Sequence, residues 1–170
     1  MKLTHSLALT LPLASSWALG ADLTVKFELP QLNVAEYHKP YVAIWIEGPD
    51  RGVASTLAVL YDVRKRDNRG ARYLKDLRTF WRTAGEGMTL PMDGVSGATR
   101  APGVHTMNFP AARNKLDTLP PGDYKLVIEA AREAGGRELV RLPFHWQPGS
   151  TVASASGGKE ELGAVSLAIQ

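Results

Sequence analysis

Cysteine is absent from the 170 residues. That absence excludes disulfides, thiol redox chemistry, c-type haem attachment and every zinc or iron–sulfur site built on thiolates. Any redox role therefore needs a cofactor without sulfur ligands. A large excess of one charge is missing as well. Twenty Lys and Arg stand against 17 Asp and Glu, so the sequence pI near 9.3 carries no strong nucleic-acid footprint. Past the N-terminus, no apolar run is long enough to cross a bilayer. Histidine is sparse, and His38, His105 and His145 share no ligand spacing such as H-x-x-x-H. Each reads as a surface or strand histidine, and no metal site is expected.

What is present points to one globular domain. Apolar residues make up 44% of the chain and charged residues 22%, enough to build a core and too apolar for a disordered chain. The N-terminus, MKLTHSLALTLPLASSWALGADLTV, has the form of a secretory signal. Lys2 supplies the positive end, Leu7 to Leu13 a short apolar run, and small residues lead to a cut after Gly20 or Ala21. No cysteine lies near that cut to accept a lipid. The expectation is a signal peptide over 1–21 and a single domain over 22–170, exported to the periplasm and not spanning the membrane.

Strand-like alternation dominates the mature chain. In 22-DLTVKFELP-30, Leu23, Val25, Phe27 and Leu29 share one face, the period-two pattern of a half-buried strand. The segment 40-PYVAIWIEGP-49 is apolar on both faces and reads as a central strand; 55-STLAVLYDV-63 is the next. Short strands resume at His105 to Phe109. In 119-LPPGDYKLVIEAARE-133, Tyr124, Leu126 and Ile128 alternate with Lys125, Val127 and Glu129. Gly135-Gly136 before 137-RELVRLPFHW-146 is a two-residue hairpin signature. A Gly/Ser-rich linker, 149–161, leads to a last strand, 162-LGAVSLAIQ-170.

One helix is predicted, over 71-ARYLKDLRTFWRTAG-85. Leu74, Leu77, Trp81 and Ala84 recur at helical spacing and Gly85 stands at the C-terminal cap. Its other side carries Lys75, Arg78 and Arg82, either a solvated face or a docking surface for an anion. Trp45, Trp81 and Trp146 are expected in the core. Seven or so strands with turn signals between them argue a mainly β protein, an antiparallel sandwich with one inserted helix and a long loop over 85–103.

That loop holds the stretch 93-DGVSGATRAPG-103, which has three readings besides a plain turn. Gly94 to Ala98 approaches the serine-nucleophile pattern G-x-S-x-G. Ala98 replaces the last glycine, however, and the surroundings are β and loop instead of strand-to-helix. A metal site lacks ligands, as above. The third reading rests on a resemblance to a site that a foreign enzyme modifies: Gly94, Gly97 and Ala98 would let its active site approach the backbone closely, and Thr99 would offer a hydroxyl for its base or metal to activate.

Asp93-Gly94-Val95-Ser96-Gly97-Ala98-Thr99 resembles the flavinylation motif D-x-x-[ST]-G-A-[ST], which the FAD:protein FMN transferase of exported bacterial redox proteins recognises. The resemblance implies FMN joined to Thr99 by a phosphoester, with Asp93 as leading acid and Ser96-Gly97-Ala98 as recognition core. Arg100 then stands where it can pair with the phosphodiester. Unlike the FMN-binding domains of sodium-pumping complexes, Arg100-Ala101-Pro102-Gly103 follows here, which resembles a turn into a strand.

A wider resemblance covers nearly the whole mature chain. The stretches 73-YLKDLRTFW-81, 93-DGVSGATRAPGVH-105 and 120-PPGDYKLVIEAAREAGGRELVRLPF-144 look like a bacterial family of predicted periplasmic proteins, domain-of-unknown-function family 2271. Its members occur beside flavin transferases and small membrane reductase-like proteins. This implies an electron carrier with two partners, an FMN transferase and a membrane-bound redox protein. The segment 119-LPPGDYKLVIEAA-131 is also similar to immunoglobulin-like domains of the flagellar-hook-cap type, which implies an immunoglobulin-like sandwich. Tyr73, Phe80 and Trp81 are the candidates to stack on the flavin, by proximity in sequence. The competing reading is a cofactor-free immunoglobulin-like periplasmic binding or assembly module.

Overall fold

The computed structural model describes residues 22–170; the expected signal peptide lies outside the described residues. The strands are β1 (Leu23–Leu29), β2 (Tyr41–Glu47), β3 (Val53–Tyr61), β4 (Ser96–Ala98) and β5 (Gly103–Phe109), then β6 (Gly122–Ala131), β7 (Arg137–Trp146), β8 (Val152–Gly157) and β9 (Ala164–Ile169). They form two sheets, ordered β5-β1-β9-β8 and β4-β3-β2-β6-β7. The fold is a mainly β sandwich, as the alternation implied.

Each sheet contributes its alternating apolar face to the space between them. Leu23, Val25, Phe27 and Leu29 of β1 meet Val42, Ile44 and Ile46 of β2 and Val140, Leu142, Phe144 and Trp146 of β7 in one cluster. Trp146 also donates its indole N–H to the Leu119 carbonyl at 3.0 Å, which satisfies the polar atom of a buried ring. At the start of β6, the Tyr124 hydroxyl donates back to the Pro120 carbonyl at 2.9 Å and closes the Pro-Pro-Gly-Asp turn.

The second sheet has a core on its outer face too. Tyr41, Ala43 and Trp45 of β2, Val59 and Tyr61 of β3, and Val127 of β6 pack beneath Leu74, Leu77 and Phe80. This is why β2 is apolar on both faces: it is sandwiched by a sheet on one side and a helical cover on the other. Trp45 and Phe80 meet across this layer at 5.7 Å. Trp45 and Trp146 are buried as expected, while Trp81 is only partly buried at the edge of the outer cluster.

The cover corrects the expectation of one continuous helix over 71–85. It consists of 3₁₀ turns over Arg66–Asp76, a short helix α1 over Arg78–Thr83, and a further 3₁₀ turn over Gly85–Gly87. The chain leaves helical geometry at Leu77 (φ −75°, ψ 69°). Its restart is set from outside by Glu129 of β6, whose carboxylate accepts the N–H groups of Thr79 at 3.0 Å and Phe80 at 2.7 Å. Arg137 pairs with the same carboxylate. Alternation puts Glu129 on the polar face of β6, yet it is fully buried beneath the cover. The apolar stripe is real, but only its spacing was encoded locally.

Three further expectations change. The 149–161 linker contains β8, an edge strand that pairs antiparallel with β9. The β6–β7 hairpin is present, but residues 132–136 form its loop in place of a two-residue turn, with Ala134 at φ 52°. The long loop contains β4, which pairs parallel with β3, so the sandwich is not wholly antiparallel.

Candidate functional site

The stretch 93–100 runs along an edge of the second sheet. Asp93 and Gly94 form an exposed turn, and Gly94 has φ +75°, a left-handed conformation that favours glycine. The Ser96 amide donates to the Met92 carbonyl at 2.8 Å, and the Ser96 hydroxyl accepts the Met92 N–H at 2.9 Å. Ser96 thus closes its own turn, and it stands in an edge strand with no strand-to-helix elbow around it. His105, the histidine nearest to Ser96 in sequence, bonds the Ala101 carbonyl at 2.8 Å and packs on Phe27.

Ser96, Gly97 and Ala98 then lie in register with Val59, Leu60 and Tyr61. Gly97 packs closely there: a β-carbon on it would sit 2.9 Å from Leu60 Cδ2, so a larger residue would force Leu60 to shift. The Thr99 amide donates to the Tyr61 carbonyl at 3.2 Å, the last bond of the edge pairing. Arg100 follows, exposed, and Gly103 opens β5 in the other sheet. The expectation of a turn into a strand after Thr99 holds.

The two ends of the heptad face different clefts. Ala98 and Thr99 line one of about 400 Å³ with Tyr37, His38, Lys39, Tyr41, Asp62, Arg64, Lys65 and Glu133. Asp93, Gly94 and Val95 line another of about 540 Å³, beside Met88, Met92, Arg113 and Lys115. Asp93 and Thr99 therefore flank the edge strand at its two ends and do not share one pocket.

The Thr99 cleft combines aromatic and charged side chains. Tyr41 stacks on Tyr73 with centroids 6.0 Å apart and planes 11° from parallel, and the Lys65 ammonium lies 4.9 Å over the Tyr73 ring. Burial, joined by the negative charges of Glu133 and Asp62, pushes the Tyr41 phenol up to about 12. Burial likewise raises Tyr37, against the opposing pull of Arg132. Both phenols stay neutral hydrogen-bond donors at ordinary pH.

The aromatic side chains picked by proximity in sequence are not those of the cleft. Phe80 is fully buried against Trp45, and Trp81 belongs to the outer cluster with Lys75 6.0 Å from its ring. Tyr73 stands behind Tyr41. Tyr37 and Tyr41 line the cleft instead, and the sequence offered no signal for them, since they lie some sixty residues before Thr99.

Residues 22–164 match the family described as "Predicted periplasmic protein (DUF2271)". The chain belongs to this family. No curated protein and no solved structure matches it. As a DUF2271 protein it falls in a family described as periplasmic, and among its described residues no helix is long and apolar enough to cross a membrane. The matched span takes in both sheets up to the start of β9, the heptad and both clefts.

Proposed function

We propose that this DUF2271 protein is an exported flavoprotein that carries FMN on the Thr99 hydroxyl and works in electron transfer outside the cytoplasm. The observation that carries this reading is a flavinylation-like heptad on an accessible sheet edge, with an open cleft at its acceptor end. The cleft suits the group: Tyr37 offers a ring face, and Lys39, Arg64 and Lys65 offer positive charge for a phosphodiester.

Attachment is a phosphoryl transfer with FAD as donor. The Thr99 oxygen bonds to the phosphorus on the FMN side, the phosphoanhydride bond to AMP breaks, and AMP leaves. The hydroxyl proton passes to a base of the transferase, since a threonine hydroxyl is a weak nucleophile unaided. When bound, the isoalloxazine supplies the electron-transfer chemistry. This chain exposes the acceptor, holds it in place and surrounds it with charge. A covalent link also keeps the cofactor where free FMN is dilute, because a dissociable one would be lost by mass action. The partners are an FMN transferase and a membrane-bound redox protein.

The test is export of the chain with and without an active FMN transferase. The expected result is flavin fluorescence that survives SDS and a mass gain of one FMN, both lost in Thr99→Ala. A colourless chain with no mass gain beside an active transferase overturns the reading. It supports instead a cofactor-free, immunoglobulin-like binding or assembly module.

A further inference from the structure

Attachment at Thr99 leaves open where the flavin ring rests, and the two clefts beside the heptad are not equivalent. We propose that the isoalloxazine folds back into the Thr99 cleft and stacks on Tyr37, with Lys65 and Arg64 holding the phosphodiester at the mouth. The proposal rests on the flavinylation reading and adds the binding site of the ring.

Reach favours this cleft, because Thr99 lines it and does not line the cleft beside Asp93. Its volume of about 400 Å³ falls in the range of small-molecule sites. Tyr37 is the ring still free to stack. Tyr41 already has Tyr73 against it, whereas Tyr37 pairs with no other ring among the described residues. Tyr37 is also only half-buried, so a planar group can cover it without displacing core. Offset stacking of two aromatic systems is favourable beyond the area it buries.

Charge points the same way. Lys39, Arg64 and Lys65 outnumber Asp62 and Glu133 around the cleft, so a tether bearing one negative charge meets net positive surroundings. Ala98, exposed and small beside Thr99, lines the same cleft. A ring seated there is shielded on one face and presents an edge to a docking redox partner.

The experiment uses the full chain flavinylated in the periplasm, with loading fixed by intact mass. A tyrosine stacked on flavin quenches its emission. The wild-type protein is expected to emit weakly per flavin, to gain several-fold on unfolding in urea, and to resist quenching by iodide until unfolded. Tyr37→Ala is expected to keep full loading while its folded form brightens and becomes open to iodide. Arg113→Ala, in the other cleft, is expected to behave as wild type. Equal emission and iodide access in folded and unfolded wild-type protein overturns the ring site while the mass gain upholds flavinylation. A Tyr37→Ala protein that matches wild type at equal loading overturns the ring site in the same way. Absence of the mass gain in wild type overturns the flavin reading itself, and the ring site with it.

Discussion

The Thr99 amide donates to the Tyr61 carbonyl, 3.2 Å away, at the point where the edge strand ends and the chain crosses to the other sheet. Tyr61 is buried in the outer core, so this one bond ties the acceptor backbone to the rigid part of the molecule. Beyond it the Thr99 side chain is free to face the cleft. A flexible loop would present the hydroxyl in many poses; an edge strand narrows them.

Gly97 should be intolerant of even one methyl. An alanine β-carbon there would lie 2.9 Å from Leu60 Cδ2, and Leu60 is buried between the sheets. Gly97→Ala is expected to lose about 1–3 kcal/mol, as overpacking does, or to lift β4 from β3. Urea unfolding measures the first and amide exchange at Thr99 the second. In either case flavin loading by the transferase should fall. Ala98→Ser, at an exposed position, should change stability little.

Glu129 holds the cover on the second sheet, and its loss should loosen α1. Glu129→Ala leaves the Thr79 and Phe80 amides without their acceptor and Arg137 without its partner. The expected loss is roughly 2–4 kcal/mol in urea unfolding, since the hydrogen bonds are to a buried carboxylate. Faster exchange of the amides in 79–84 should accompany it. Glu129→Gln, which keeps an acceptor, should lose less.

Glu138 should make the last loop sensitive to acid. Its carboxylate accepts the N–H groups of Lys159, Glu160, Glu161 and Leu162 at 2.6 to 3.0 Å. Burial alone would raise this carboxyl, but the four donors outweigh burial and hold it below its ordinary value. The folded chain therefore favours the charged form. Its contribution is complete above the ordinary carboxylate range and is lost as pH falls through the lowered folded value. Thermal melts across acid pH should show this loss in the wild type and a flatter profile in Glu138→Gln. At neutral pH that variant should be destabilised by about 1–2 kcal/mol.

Tyr41 sets the opposite limit. Its phenol is pushed up to about 12 by burial first, then by Glu133 and Asp62. In the unfolded chain it titrates near 10, so between these values the unfolded state binds fewer protons. Stability should fall as pH rises through that window. Ultraviolet titration of the folded protein should show a late-ionising tyrosinate near 12 that is missing in Tyr41→Phe, and the alkaline loss of stability should shrink in that variant.

Much of the sandwich was legible in order. Alternation located β1 and β6 within a few residues, the Gly135-Gly136 turn signal located β7, and the two-faced apolarity of 40–49 marked a central strand before any partner was known. These signals are local: a side chain's face follows from its neighbours two positions away. The absence of cysteine and the heptad 93–99 were equally plain, and with them the candidate acceptor. Less legible were β4 and β8. Ser-Gly-Ala has no alternation to read, and a Gly/Ser-rich stretch looks like a linker until a neighbour supplies backbone hydrogen bonds.

The sequence by itself determined which faces are apolar, what chemistry is excluded, and which hydroxyl stands in a recognisable setting. The tertiary structure alone decided where the cover helix breaks, because the carboxylate that caps it lies fifty residues further along the chain. It decided that the middle of the heptad, Ser96 to Ala98, is an edge strand, since a parallel pair exists only once β3 is beside it. It also decided which side chains surround Thr99. Tyr37, Arg64 and Lys65 meet the acceptor through the packing of distant segments, and no spacing along the chain encodes that meeting.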